Sequence, residues 1–198
     1  MLIIERMTRS PITISGEATV KQALEIIDQT QVRHLPVLDE SGTLVGILSE
    51  KDVLRACGDD RVEQVMIRQV ITVTEYAALE EAARIMADHK ISSLPVMRHG
   101  KLVGIITETD LFRVFLEILG AREEGVRLTM LVPEEQGMLA CVTGEIAGMG
   151  GNILALSTSR GEDPTNRMVT VKVSGVPSEK LVAIMEALGM EIVDVREG

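Results

Sequence analysis

Apolar positions in the first 120 residues fall into one pattern written twice. A short β-branched run, Leu44-Val45-Gly46-Ile47-Leu48, passes through Ser49 and Asp52 into a stretch with apolar residues at helical spacing. Leu102-Val103-Gly104-Ile105-Ile106, followed by Thr107 and Asp110, repeats that order. Such self-similarity marks an internal repeat whose unit is a strand feeding a helix. Ahead of the first copy, Val20, Ala23, Leu24, Ile26 and Ile27 share one helical face behind the capping box Thr19-Val20-Lys21-Gln22. Residues 33–38 then read as a strand, and Asp39-Glu40-Ser41-Gly42 as the turn that returns it. The expected order is strand, helix, strand, strand, helix. Pro36 recurs as Pro95, 59 residues on, and Asp52 as Asp110, 58 on, because the turn Arg98-His99-Gly100 is one residue shorter.

A helix expected from residue 110 toward 119 stops at Gly120, and the polar stretch Ala121-Arg122-Glu123-Glu124-Gly125 separates it from a different pattern. Residues 126–132 alternate as a strand, and 137–147 carry helical spacing up to Met149-Gly150-Gly151. Residues 152–156 and 166–173 read as strands, Pro177-Ser178 opens a helix, and 191–195 is a last strand. That order is a ferredoxin-like βαββαβ unit. The expected fold class is α+β, with domains at 1–59, 60–120 and 125–198. Met138, Met149, Met185 and Met190 are expected as core filler.

Composition narrows the function. The net charge of −10 is divided evenly between residues 1–120 and 121–198, so neither half offers a basic patch for nucleic acid. Tyr76, Phe112 and Phe115 are the only aromatics, too few for a base-stacking platform. Apolar runs are too short for a membrane span and residues 1–5 do not read as a signal peptide, so a cytoplasmic chain with no membrane partner is expected. Cys57 and Cys141 lack the spacing of a zinc or redox motif, and His34, His89 and His99 have no ligand spacing with them. No phosphate-binding glycine loop or nucleophile elbow occurs, so the chain does not read as an enzyme, and neither a metal nor a catalytic cofactor is expected.

Ser49-x-x-Asp52 and Thr107-x-x-Asp110 admit two readings. The hydroxyl and carboxylate can cap a helix, or the same helix start can attract phosphate while the carboxylate accepts ribose hydroxyls. A single copy reads as a cap; recurrence at matching positions lifts the second reading well above its base rate.

Two copies of Leu-Pro-Val, Leu-Val-Gly-Ile and Ser/Thr-x-x-Asp resemble a tandem pair of CBS domains over residues 1–119. The resemblance implies two clefts for adenosyl ligands such as AMP, ADP, ATP or S-adenosylmethionine. By position, Asp52 and Asp110 would hold ribose hydroxyls, and Ser49 and Thr107 would face phosphate. Thr13 and Thr72, with Ile12 and Ile71, would line the adenine pocket. Arg33 and His34 in one copy, and Ser92 and Ser93 in the other, would meet phosphate, which makes the clefts unequal. Lys90, Arg9 and Arg68 are further cations available to an anionic ligand.

Val132-Pro133-Glu134-Glu135-Gln136-Gly137-Met138-Leu139, followed by Gly150-Gly151-Asn152-Ile153, resembles the opening of an ACT domain. That likeness implies a small ligand, often an amino acid, near Glu134, Gly137 and Asn152. Gln136 in place of the usual proline, and Glu134 where binders often have Asp or Asn, point to weak or absent amino-acid binding. Together the two halves resemble stand-alone CBS–ACT proteins of the acetoin-utilisation type. The resemblance implies a non-catalytic regulatory homodimer acting on a regulated enzyme; the alternative is a ligand-free scaffolding dimer.

Overall fold

A two-residue strand β1 (Thr8–Arg9) precedes the first repeat, which runs β2 (Ile14–Ser15), α1 (Val20–Thr30), β3 (His34–Leu38), β4 (Leu44–Ser49) and α2 (Glu50–Arg55). The protein is described by a computed structural model over residues 1–161 and 163–198. At the start of α1 the capping box forms: Gln22 N donates to Thr19 Oγ1 at 3.2 Å, and Thr19 N to Gln22 Oε1 at 2.9 Å. Val20, Ala23 and Ile27 are buried along one face of the helix, against Leu35, Val37 and Leu48.

The second repeat follows a short helix α3 (Val62–Val65) and runs β5 (Val73–Thr74), α4 (Leu79–His89), β6 (Ser93–Arg98), β7 (Lys101–Thr107) and α5 (Glu108–Ile118). The strand, helix, strand, strand, helix order therefore recurs as the sequence pattern implies. Each proline sits in a central strand, which ordinarily needs its N–H. Here β2 reaches only Val37 and Leu38, and β5 only Val96 and Met97, so neither Pro36 nor Pro95 is asked for a bond on that side.

The repeats exchange their leading segments, which sequence periodicity did not reveal. β1 belongs to the second repeat's sheet, in the order β1-β7-β6-β5, while the first repeat's sheet is β2-β3-β4. Ile3 N and Ile4 N donate to Ala77 O and Glu75 O in the second repeat, and Val62 N and Glu63 N donate to Ala18 O and Gly16 O in the first. Ile3 and Val62 are each fully buried by this exchange. Two-residue strands and a four-residue helix are too short to show a period, and their partners lie in the opposite repeat.

The glycine of Leu-Val-Gly-Ile is explained by the crossing. Gly46 faces the Met66 side chain, and a Cβ on Gly104 would lie 2.5 Å from Met7 Sδ and 3.0 Å from Thr8 O. Gly104→Ala must therefore displace the Met7 side chain and shift the Thr8 carbonyl, and is expected to cost about 1–3 kcal/mol. Urea unfolding that gives the wild-type midpoint for Gly104→Ala would contradict this packing.

Contact density divides the chain into Met1–Phe112 and Arg113–Gly198. In the second unit, β8 (Val126–Pro133), α6 (Met138–Gly148), β9 (Asn152–Arg160), β10 (Asn166–Ser174), α7 (Ser178–Ala187) and β11 (Glu191–Glu197) build an antiparallel sheet ordered β11-β8-β10-β9. Leu128, Met130 and Val132, with Val169, Val171 and Val173, alternate onto one face and pack against Val142 and Ile146 of α6 and Leu181 and Met185 of α7. The βαββαβ order and this strand arrangement are those of a split βαβ unit. Met185 and Met190 are core residues, and Met138 and Met149 pack at its margin. The fold is thus mixed α+β, with a repeated first half.

Candidate functional site

Where β4 meets α2 the chain turns through Ser49. Asp52 N donates to Ser49 Oγ at 3.4 Å, while Ser49 N and Ser49 Oγ donate to Asp52 Oδ2 at 3.0 and 2.5 Å. The second repeat copies this: Asp110 N donates to Thr107 Oγ1 at 3.3 Å, and Thr107 N and Oγ1 donate to Asp110 Oδ2 at 3.0 and 2.6 Å. Both motifs are reciprocal helix caps, so the hydroxyls of Ser49 and Thr107 are directed to their own carboxylates rather than held ready for a phosphate. Both bonds that the Asp52 carboxylate accepts fall on Oδ2, and Oδ1 stands outside the cap.

Asp52 opens onto a cleft of about 220 Å³ that both repeats line. The first repeat contributes His34, Ser49, Lys51 and Asp52; the second contributes Lys90, Ile91, Ser92 and Ser93. Ile67, Val70 and Ile71, from the connecting segment, join Ile47, Ile91 and Pro95 in the apolar wall, and Gln69 lies among them. The segment exchange puts that wall in place. Ile47 N donates to Ile67 O at 3.0 Å and Ile67 N to Ile47 O at 2.9 Å, which fixes the connection beside β4.

Of the residues singled out from sequence, His34, Ser49, Asp52, Ile71, Ser92 and Ser93 meet here. Thr72 is exposed and outside the lining. Arg33 is also outside it, its Nη2 donating to Thr109 Oγ1 of the second repeat at 3.4 Å. Ile12 is exposed, Thr13 half-buried and Asp110 buried, and none of them lines this cleft; nor does Thr107. Lys51, Ile67, Gln69, Val70 and Ile91 line the cleft without having been singled out from sequence. Lys51 could have been found, since it lies inside Ser49-x-x-Asp52 where the second repeat has Thr109.

The cleft's charges are cationic on balance: Lys51 and Lys90 against Asp52. Lys90 ends α4 with φ of 55°, in the left-handed region that favours glycine. His34 Nε2 lies 2.9 Å from Ser92 Oγ and ties the repeats together across the cleft. Burial, and next the Arg33 guanidinium, hold His34 below the usual imidazole value, so the ring is neutral at neutral pH. A carboxylate acceptor, two ammonium groups and an apolar wall suit a ligand with a polyol, an anionic group and a flat apolar ring. Among the described residues no His, Cys, Asp and Glu cluster could hold a metal.

In the C-terminal unit, Glu134 is held by Arg167, whose Nη1 donates to both carboxylate oxygens at 2.9 and 3.1 Å. Gly137 caps α6 with φ of 91°, a turn that requires glycine, and Asn152 is exposed at the start of β9.

The CBS domain family matches residues 3–59 and 62–117. An L-aspartate semialdehyde sulfurtransferase of Methanocaldococcus jannaschii is 32% identical over 117 residues, 58% of this chain but only 23% of that protein. A solved CBS domain pair in complex with 5′-methylthioadenosine and S-adenosyl-L-methionine is 31% identical with TM-score 0.57, covering 62% of this chain and 98% of that one. A Vibrio cholerae chain provisionally named an acetoin utilization protein is 32% identical with TM-score 0.56, covering 62% and 96%. A further solved chain, CBSX2 in complex with AMP, is 30% identical with TM-score 0.54, covering 59% and 97%.

Proposed function

The chain belongs to the CBS domain family, and from that premise we propose that it is a non-catalytic sensor whose inter-repeat cleft binds an adenosyl ligand. One observation carries the reading: Asp52, whose Oδ1 is outside the helix cap, lines a cleft with Lys51, Lys90 and the apolar wall around Ile71. The carboxylate would accept the ribose hydroxyls, the lysines would meet phosphate, and Ile67, Val70 and Ile71 would pack on adenine. Thr107 and Asp110, with Ile12 and Thr13, would form the second site. Related CBS pairs solved with methylthioadenosine, S-adenosylmethionine and AMP support this ligand class.

The C-terminal unit, from about residue 125, is read as an ACT-like domain on its element order and the Gly137 turn. Its Glu134 is occupied by Arg167, which supports weak or absent amino-acid binding there. The regulatory output would be a population shift: ligand favours one arrangement of a homodimer over another and so alters a partner enzyme, in the cytoplasm, with acetoin use as one setting. Light scattering is expected to give twice 21.6 kDa without ligand; a monomer at micromolar concentration would end the dimer reading.

A thermal-shift panel of AMP, ADP, ATP, S-adenosylmethionine and methylthioadenosine tests the ligand class. A compound at 100 times its Kd adds about 2.7 kcal/mol to stability, a clear rise in Tm. No shift with any compound would favour a scaffolding dimer whose motifs only cap helices.

A further inference from the structure

His34 stands where the charge of a ligand would be felt. Its ring is half-buried on the cleft wall, and Nε2 reaches Ser92 Oγ on the other repeat at 2.9 Å. Arg33 just ahead of its strand, Glu50, Lys51 and Asp52 from α2, and Lys90 beyond α4 are the charged groups that face it. Burial and Arg33 keep the ring neutral, yet nothing in the helix cap or the sheets uses it. The matching residue of the second repeat is Ser93, so this chemistry belongs to one cleft alone.

We propose that His34 takes up a proton from solvent when an anionic ligand enters this cleft, so that phosphorylated adenosyl ligands bind more tightly as pH falls and a cationic sulfonium ligand binds less tightly. The inference rests on the adenosyl reading above. A phosphate dianion near the imidazole stabilises its charged form, while a sulfonium opposes it. Protonation costs no rearrangement at the seam, because the Ser92 hydroxyl can donate to neutral Nε2 or accept from the protonated ring. The cleft thereby reads ligand charge, and pH with it.

Calorimetry of AMP binding to the full chain, at about pH 7.5 in two organic buffers of different ionisation enthalpy, tests the proposal. AMP carries its own phosphate ionisation near about pH 6, so His34→Asn supplies the baseline. Wild type is expected to take up a fraction of a proton more than His34→Asn on binding AMP, and adenosine to give no difference. AMP affinity should strengthen about three- to tenfold in wild type between about pH 8 and about pH 6.5, tenfold being one full unit of linkage. Should His34→Asn not bind, the imidazole resonance of His34 in wild type gives the same answer: AMP must move its titration upward. Equal proton uptake in both proteins, or a titration that AMP leaves in place, overturns the proposal and leaves the adenosyl reading standing. Failure of AMP, ADP, ATP and S-adenosylmethionine all to bind overturns both.

Discussion

Asp52→Ala is expected to weaken adenosyl-ligand binding about tenfold or more, and also to lower stability by about 0.5–2 kcal/mol. The two effects come from different oxygens. Oδ2 takes the amide and hydroxyl of Ser49, which closes the first turn of α2, while Oδ1 is left for ribose hydroxyls. A hydrogen bond to a charged group is worth about 1.5–3 kcal/mol, enough for the expected loss of affinity. Asp52→Asn separates the contributions, because the amide oxygen still caps the helix while the charge is gone. Titration of the tightest adenosyl ligand into both variants, beside urea unfolding, should show Asn keeping most of the stability but little of the affinity. Asp110→Ala is expected to cost less affinity, since the cleft with both lysines is the one that Asp52 lines. Wild-type affinity in Asp52→Ala would make the motif a helix cap and nothing more.

Replacing both Lys51 and Lys90 by alanine is expected to weaken AMP binding about thirtyfold or more, while adenosine affinity stays within about threefold. Both lysines are exposed and partly screened by solvent and salt, so each is placed at the low end for a charge-assisted bond. The salt dependence of AMP binding should fall along with the affinity. Lys90 adds a backbone argument: its left-handed φ sits where glycine is easier, and the α4 end nevertheless carries an ammonium toward the cleft. Equal losses for AMP and adenosine would mean the lysines shape the wall rather than meet phosphate.

How much of this was legible in the sequence depends on the range of the interaction. The capping boxes at Thr19, Ser49 and Thr107 close within three residues, so their residue types announce them. The helical faces of α1 and α4 and the alternation in β8 and β10 follow from local period. The segment exchange does not, because β1 pairs with a strand almost a hundred residues away and α3 is a single turn. That exchange decides the site: it brings Ile67 to Ile71 beside Asp52, and it explains Gly46 and Gly104 through Met66 and Met7. Position in the repeat placed Arg33 with His34, yet only His34 turns into the cleft, and Arg33 crosses to Thr109. Arg33 lies one residue before β3, and its long side chain reaches the second repeat, so position in the motif alone does not assign it to the ligand that His34 faces.

A crystal structure of the chain with the adenosyl compound that stabilises it most tests the account most directly. That compound is expected between the repeats, its ribose hydroxyls on Asp52, its ring against Ile67 and Ile71, and any phosphate within reach of Lys51 and Lys90. A ligand bound elsewhere with this cleft empty, or one whose ribose avoids Asp52, would contradict it.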